Sequence, residues 1–149
     1  MPTVTVSFND QKLIKRLSTI GSGLESYREP LDEIGTELLD FYGGKVFESQ
    51  GSELGVRWRP LAPATLKMRA ERRGYYSNPP VDTNKILVWT GKLKAGFRKA
   101  VSRFKLVVDN PDPKFAWNHA TRPMLGITKK VTDLVVIKME QYLRSLIVK

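Results

Sequence analysis

"FKLVVDNPDPKFAWNHA", residues 104–120, reads as a strand, a turn and a returning strand. Phe104, Leu106 and Val108 recur every second residue, which places them on one face of an extended chain. "DNPDP" (109–113) gathers the residue types that reverse a chain, and "FAWNHA" (115–120) is predicted to come back as the partner strand. Near the N-terminus "TVTVSF" (3–8) alternates Val4, Val6 and Phe8 with Thr and Ser, a second half-buried strand. The expected class is α+β: one domain over 1–149, a small, mostly antiparallel sheet packed with N-terminal and C-terminal helices.

Outward from the strands the apolar period changes to that of a helix. Asn9 or Asp10 is placed to cap a short helix carrying Leu13, Ile14 and Leu17, broken by "GSG" at 21–23. A longer helix begins near Pro30, a residue favoured in a first turn, and Asp32 and Glu33 suit its positive end. Leu31, Ile34, Leu38 and Phe41 form its buried stripe, Gly43 and Gly44 loosen it or admit a close neighbour, and Gly51 ends it. After a loop at 51–58, a short helix is expected from Pro63, closed by Gly74. Residues 74–85, "GYYSNPPVDTNK", are turn formers without periodicity and are predicted to be a mobile surface loop. "ILVWTGKLKAGFRKAV" (86–101) follows as a buried run, a turn at Thr90-Gly91 with Thr90 as helix cap, and a helical stretch using Leu93, Phe97 and Val101. From Thr128 the pattern is helical, with Val135, Met139, Tyr142, Leu143 and Leu146 on one stripe.

Composition narrows the function classes. A chain of 149 residues with 41% hydrophobic and 27% charged side chains is that of one ordinary globular domain. It has no cysteine, which removes disulfides, thiolate catalysis and Cys-based zinc sites together. No apolar run is long enough to span a bilayer, so no membrane partner is expected. "MPTVTVSFND" lacks the basic region and apolar core of a secretory signal, and none is predicted. The net charge of +10 is uneven: residues 1–50 carry five basic and eight acidic side chains, whereas 51–149 carry twenty and seven. That asymmetry suits a polyanionic neighbour, or an acidic surface on one subunit facing a basic surface on the next.

Catalytic chemistry finds little to use, and neither a catalytic residue, a cofactor nor a metal site is expected. His119 is the single histidine, without a cysteine or a G-x-S-x-G serine to activate, and a hydrogen-bonded structural role is expected for it. "GKLKAGFR" starts like a phosphate loop, but Phe97 and Arg98 stand where Lys and Ser or Thr are needed. A metal-dependent nuclease would use Asp112 and Lys114 of "NPDPK" with a second carboxylate before a lysine, and Asp133 and Glu140 do not supply it. For nucleic acid, Arg69, Arg72 and Arg73 would share a helical sector of about 100°. That face has no aromatic within its helix and no recognition motif around it, so at most it makes non-specific backbone contacts.

Three stretches in order carry a resemblance: "WRPLAPATLKMR" (58–69), "ILVWTGKLKAGF" (86–97) and "RPMLGITKKVTDLVVIKMEQYL" (122–143). The chain resembles the phage virion-morphogenesis family, which includes Mu-like proteins and tail-completion proteins of contractile-tailed phages. "FAWNHATRP" keeps that family's aromatic and histidine before Arg-Pro but not its glycine. The resemblance implies a non-enzymatic structural protein that completes the tail or joins head and tail in the neck, alongside other neck, connector or tail proteins. It further implies a homo-oligomeric ring of about six copies (a hexamer), in which unlike faces of neighbours meet. Its expected place is the virion, after assembly in the host cytoplasm, with a basic lumen that tolerates passing DNA without reading it. The expected assembly surface comprises Trp58, Pro60, Leu61, Arg69, Arg72, Arg73, Tyr75, Tyr76 and Arg122, with Trp58, Pro60 and Leu61 better placed as a staple of the loop onto the core. The competing expectation is a small basic DNA-binding accessory protein.

Overall fold

The computed structural model describes residues 2–7, 11 and 26–147. The predicted short helix carrying Leu13, Ile14 and Leu17 lies outside the described residues. The fold is α+β, and its sheet is antiparallel with strand order β1–β3–β2. Strand β1 (Val4–Ser7) sets Val4 opposite Val108 and Val6 opposite Leu106 of β3 (Lys105–Asp109). Strand β2 (Arg98–Val101) sets Lys99 opposite Val108 and Val101 opposite Leu106. Leu106 and Val108, with neighbours on both sides, are fully buried, as their alternation requires. Phe104 precedes β3, is partly exposed, and meets the Tyr27 ring edge-on at 5.5 Å.

The inner sheet face packs on α1 (Arg28–Asp40). Leu31, Ile34, Leu38 and Phe41 are its buried stripe, as their spacing predicts. After Asp40 the helix passes through one wide π-turn (Phe41–Lys45), then resumes for a last turn (Val46–Glu48). That wide turn holds Gly43 and Gly44, and a Cβ on Gly43 would press on the Lys94 carbonyl at 3.0 Å. Gly51 ends the run at φ +90°, where any side chain would enter the Trp58 ring and the Val56 carbonyl. Lys99, on the inner face of edge strand β2, reaches past α1 and donates to the Asp32 carbonyl at 2.9 Å and the Thr36 hydroxyl at 2.7 Å.

Between α1 and the C-terminal helix lie α2 (Pro63–Ala70), α3 (Lys92–Ala95) and α4 (Pro113–His119). α5 (Lys129–Ile147) packs on α1, with Val131 and Met139 buried and Val135, Tyr142 and Leu143 half-buried against the core. The Tyr42 hydroxyl donates to the Gly126 carbonyl at 2.7 Å, tying the π-turn to the approach of α5.

Four local expectations are corrected. "FAWNHA" is not a strand but most of α4: Asp112 accepts the Lys114 N–H at 2.8 Å as N-cap, and Pro113 takes the first helical position. β3 already has β1 and β2 on its two edges, so it leaves no edge for a further strand. The predicted helix through Val101 stops at Ala95, because Arg98–Val101 is drawn into the sheet as β2. Its N-cap is Gly91, at φ +75°, rather than Thr90, whose hydroxyl instead pairs with that of Tyr75 at 2.8 Å. The helix from Pro63 ends at Ala70 rather than running to Gly74, and Arg72 turns the chain with a left-handed φ of +56°.

Candidate functional site: a basic, aromatic groove

Outside the strands, the irregular half encloses a groove of about 550 Å³. Its walls come from α2 and the residue pair before it (Leu61, Thr65, Arg69), the 75–76 turn, Leu87 and Trp89, and α4 with the chain beyond (Lys114, Asn118, Arg122). Arg69, Lys114 and Arg122 are the cations that line it, and among the described residues no acidic side chain does.

Arg69 forms the floor and is only 8% exposed. One guanidinium nitrogen donates to the Thr83 carbonyl at 3.1 Å, and both terminal nitrogens reach the Lys85 carbonyl at 3.3 Å. The guanidinium carbon lies 5.3 Å from the Tyr76 ring centre and 5.1 Å from that of Trp89. It makes no ion pair with a described residue, and its Nε, fully buried, finds no acceptor among them. Asp82 sits close by, its carboxyl held below the usual carboxylate range by the backbone N–H groups of Asn84 and Lys85, with Lys85 and Arg69 adding charge attraction.

The expected three-arginine face does not exist. Helix α2 ends before Arg72 and Arg73, so the 100° spacing never reaches them. Arg69 turns inward, Arg72 lies over Trp89 at 5.0 Å, and Arg73 faces outward to Glu71 at 2.8 Å. The aromatics missing from that face in the sequence arrive from elsewhere in the chain. Tyr76 meets Trp89 edge-on at 5.1 Å, Tyr75 meets Tyr76 at 5.5 Å, and the Lys114 ammonium stands 3.3 Å above the Tyr75 ring.

A reciprocal clasp holds the groove's base. The Trp58 indole, 3% exposed, donates to the Pro123 carbonyl at 2.7 Å and meets Phe47 edge-on at 5.1 Å. Arg122 returns the contact, donating to the carbonyls of Arg59 at 3.1 Å and Pro60 at 3.2 Å. Arg122 therefore ties 122–123 to 58–60. The segment 74–85 is fastened at several points: the Val81 N–H donates to the Trp89 carbonyl, and the Trp89 indole donates to the Asn78 carbonyl at 2.9 Å.

Of the expected assembly residues, Leu61, Arg69, Tyr75, Tyr76 and Arg122 line the groove. Pro60 lends it a carbonyl, Trp58 is beneath it in the core, and Arg72 and Arg73 lie outside its lining. Sequence reasoning missed Trp89, Lys114 and Asn118. Reading 115–120 as a strand hid the last two: an extended chain would hold Lys114 and Asn118 about 13 Å apart, whereas one helical turn sets them side by side.

His119 and Asp112, the residues weighed above for chemistry, are engaged in the fold. His119 accepts the Met124 N–H on Nδ1 at 3.2 Å and stacks on Phe115, and its burial pushes its pKa below the ordinary 6.5. The Asp112 carboxylate caps α4. Among the described residues no group of three or more His, Cys, Asp or Glu is arranged to hold a metal, and no helix is long and apolar enough to cross a membrane. No protein-family model matches this chain, nor does any curated protein or solved structure.

Proposed function

We propose that the chain is a structural component of a phage neck or tail end, a protein that completes the tail or joins head to tail as a homo-oligomeric ring and performs no catalysis. The observation that carries this reading is the interlock of the three stretches behind the resemblance. The first is clasped to the third through Trp58–Pro123 and Arg122–Arg59/Pro60. The first also meets the second where Arg69 and Trp89 pack together. Residues far apart in sequence thus build one platform, and residues of all three stretches line the basic groove. A presented, charge-lined surface on a firmly held base suits contact with another macromolecule rather than turnover of a small one.

The groove's cations and the net charge of +10 also favour the second reading, a small basic DNA-binding accessory protein. Native mass spectrometry with electron microscopy, beside a DNA-binding titration against salt, separates the two. Closed rings with weak DNA binding that salt abolishes are the expected result. A monomer that binds DNA tightly at physiological salt would overturn the neck reading in favour of the second.

A further inference from the structure

We infer that the basic groove is the receiving half of a head-to-tail contact between copies of this chain, and that its occupant is the acidic face of α1 on the neighbouring copy. This rests on the ring reading above and names the surfaces that would make the ring.

The groove calls for an anion. Arg69 is a nearly buried guanidinium with no ion pair among the described residues and one nitrogen without an acceptor. A nearly buried charge held by carbonyls and ring faces, with the nearby Asp82 carboxylate attracting it without forming an ion pair, is incompletely compensated. Lys114 and Arg122 raise the positive potential at the walls, and no acid among the described residues lines them. The volume of about 550 Å³ suits a few inserted side chains rather than a folded element. Beside the groove on α4, Trp117 is 87% exposed, an aromatic of the kind that anchors interfaces.

The same chain offers a matching surface elsewhere. Glu29, Glu33, Glu37 and Asp40 follow one another at spacings of four, four and three along α1, which gathers them in a sector of about 80°. Glu37 pairs with Lys138 of α5, while Glu29, Glu33 and Asp40 are exposed and make no ion pair among the described residues. Helix α1 packs on β2, β3 and α5, none of which lines the groove, so one copy does not place its own stripe in its own groove. Two unlike, complementary surfaces on separate parts of one rigid fold give a heterologous contact, which closes into a ring when its rotation permits. Lysine and arginine facing unpaired carboxylates also steer encounter and fix register.

The test exchanges the charges. Lys114→Glu with Arg122→Glu makes the groove acidic; Glu33→Lys with Asp40→Lys makes the stripe basic. Assembly is followed by native mass spectrometry and light scattering, with thermal melting as the fold control. The wild-type chain is expected to assemble in a salt-sensitive manner, and each doubly reversed chain to remain monomeric. Mixing the two reversed chains should restore assembly, because each then presents the complement of the other. Because Arg122 also holds carbonyls in the fold, Lys114→Glu alone is the second variant; it should weaken association by about tenfold or more. Rings indifferent to both reversals would overturn this inference and leave the neck reading standing. Two monomeric variants that fail to assemble on mixing would overturn the pairing of these two faces. Groove variants that lose DNA binding yet assemble normally would make nucleic acid the occupant and overturn it also. A wild-type chain that stays monomeric and binds DNA tightly would overturn both the inference and the neck reading.

Discussion

The half built from β1–β3, α1 and α5 and the half that encloses the groove are held by different physics. In the first, buried side chains recur with the period of their element, and neighbours in the core come from whole faces: Leu31, Ile34 and Leu38 against Leu106 and Val108. In the second, single polar groups reach carbonyls far along the chain: Trp58 to Pro123, Arg122 to Arg59 and Pro60, Arg69 to Thr83 and Lys85. A periodic face tolerates the loss of one contact by degrees. A clasp made of one donor is present or absent, so the groove half should loosen locally where the sheet half weakens globally.

Substitutions can break or sharpen that contrast. The largest expected effect is in the periodic half: Ile34→Ala should lower global stability by about 2–5 kcal/mol in urea unfolding, since its fully buried site offers little room to collapse. Gly51→Ala stands at the junction of the halves, where a left-handed φ and the nearness of Trp58 and Val56 leave no place for a methyl. It should cost about 2–3 kcal/mol by the same measurement, from strain and the displaced Trp58. Arg69→Met should cost about 1–3 kcal/mol, because the Thr83 and Lys85 carbonyls lose their donor while an unpaired charge is also removed. Its more telling readout is proteolysis: chymotrypsin should cut at Tyr75 and Tyr76 markedly faster, with global melting changed far less. Equal sensitivity of both measurements would show that the two halves unfold as one.

The smallest effect is a pH dependence. His119 has a folded pKa depressed by burial from 6.5, and its Nδ1 must stay unprotonated to accept the Met124 N–H. The unfolded chain therefore binds more protons as the pH falls, so this contribution is fully present above pH 6.5 and is lost as the pH drops through the lower folded value. His119→Gln should flatten that acid-side decline, read as stability measured between neutral and mildly acid pH. A decline of unchanged slope in the variant would assign it to other groups.

The periodic half was legible because burial on a helix or strand leaves a trace at fixed spacing, and the stripes at 31–41 and 106–108 are that trace. The groove half was legible only in part. Pro63 announced α2, but the equivalent signal in Asp112-Pro113 was outweighed by the aromatic run that follows it, and a strand was expected where α4 stands. At seven residues, α4 is too short for its apolar pattern to separate a helix from a strand, so the cap decided the matter. Arg98–Val101 fell to the opposite error: its local pattern suits a helix, but the open edge of β3 recruits it.

By itself, the sequence determined the α+β class, the helix with its buried stripe, the strand around Leu106 and Val108, and the uneven charge, because each of these is a local or summed property of side chains. The tertiary structure alone decided that Arg69 faces inward, that Tyr76, Trp89 and Lys114 join it, and that Trp58 and Arg122 close the base beneath them. Those residues are brought together by donors finding carbonyls 11 to 65 positions away, and no spacing in the chain encodes which carbonyl will be in reach.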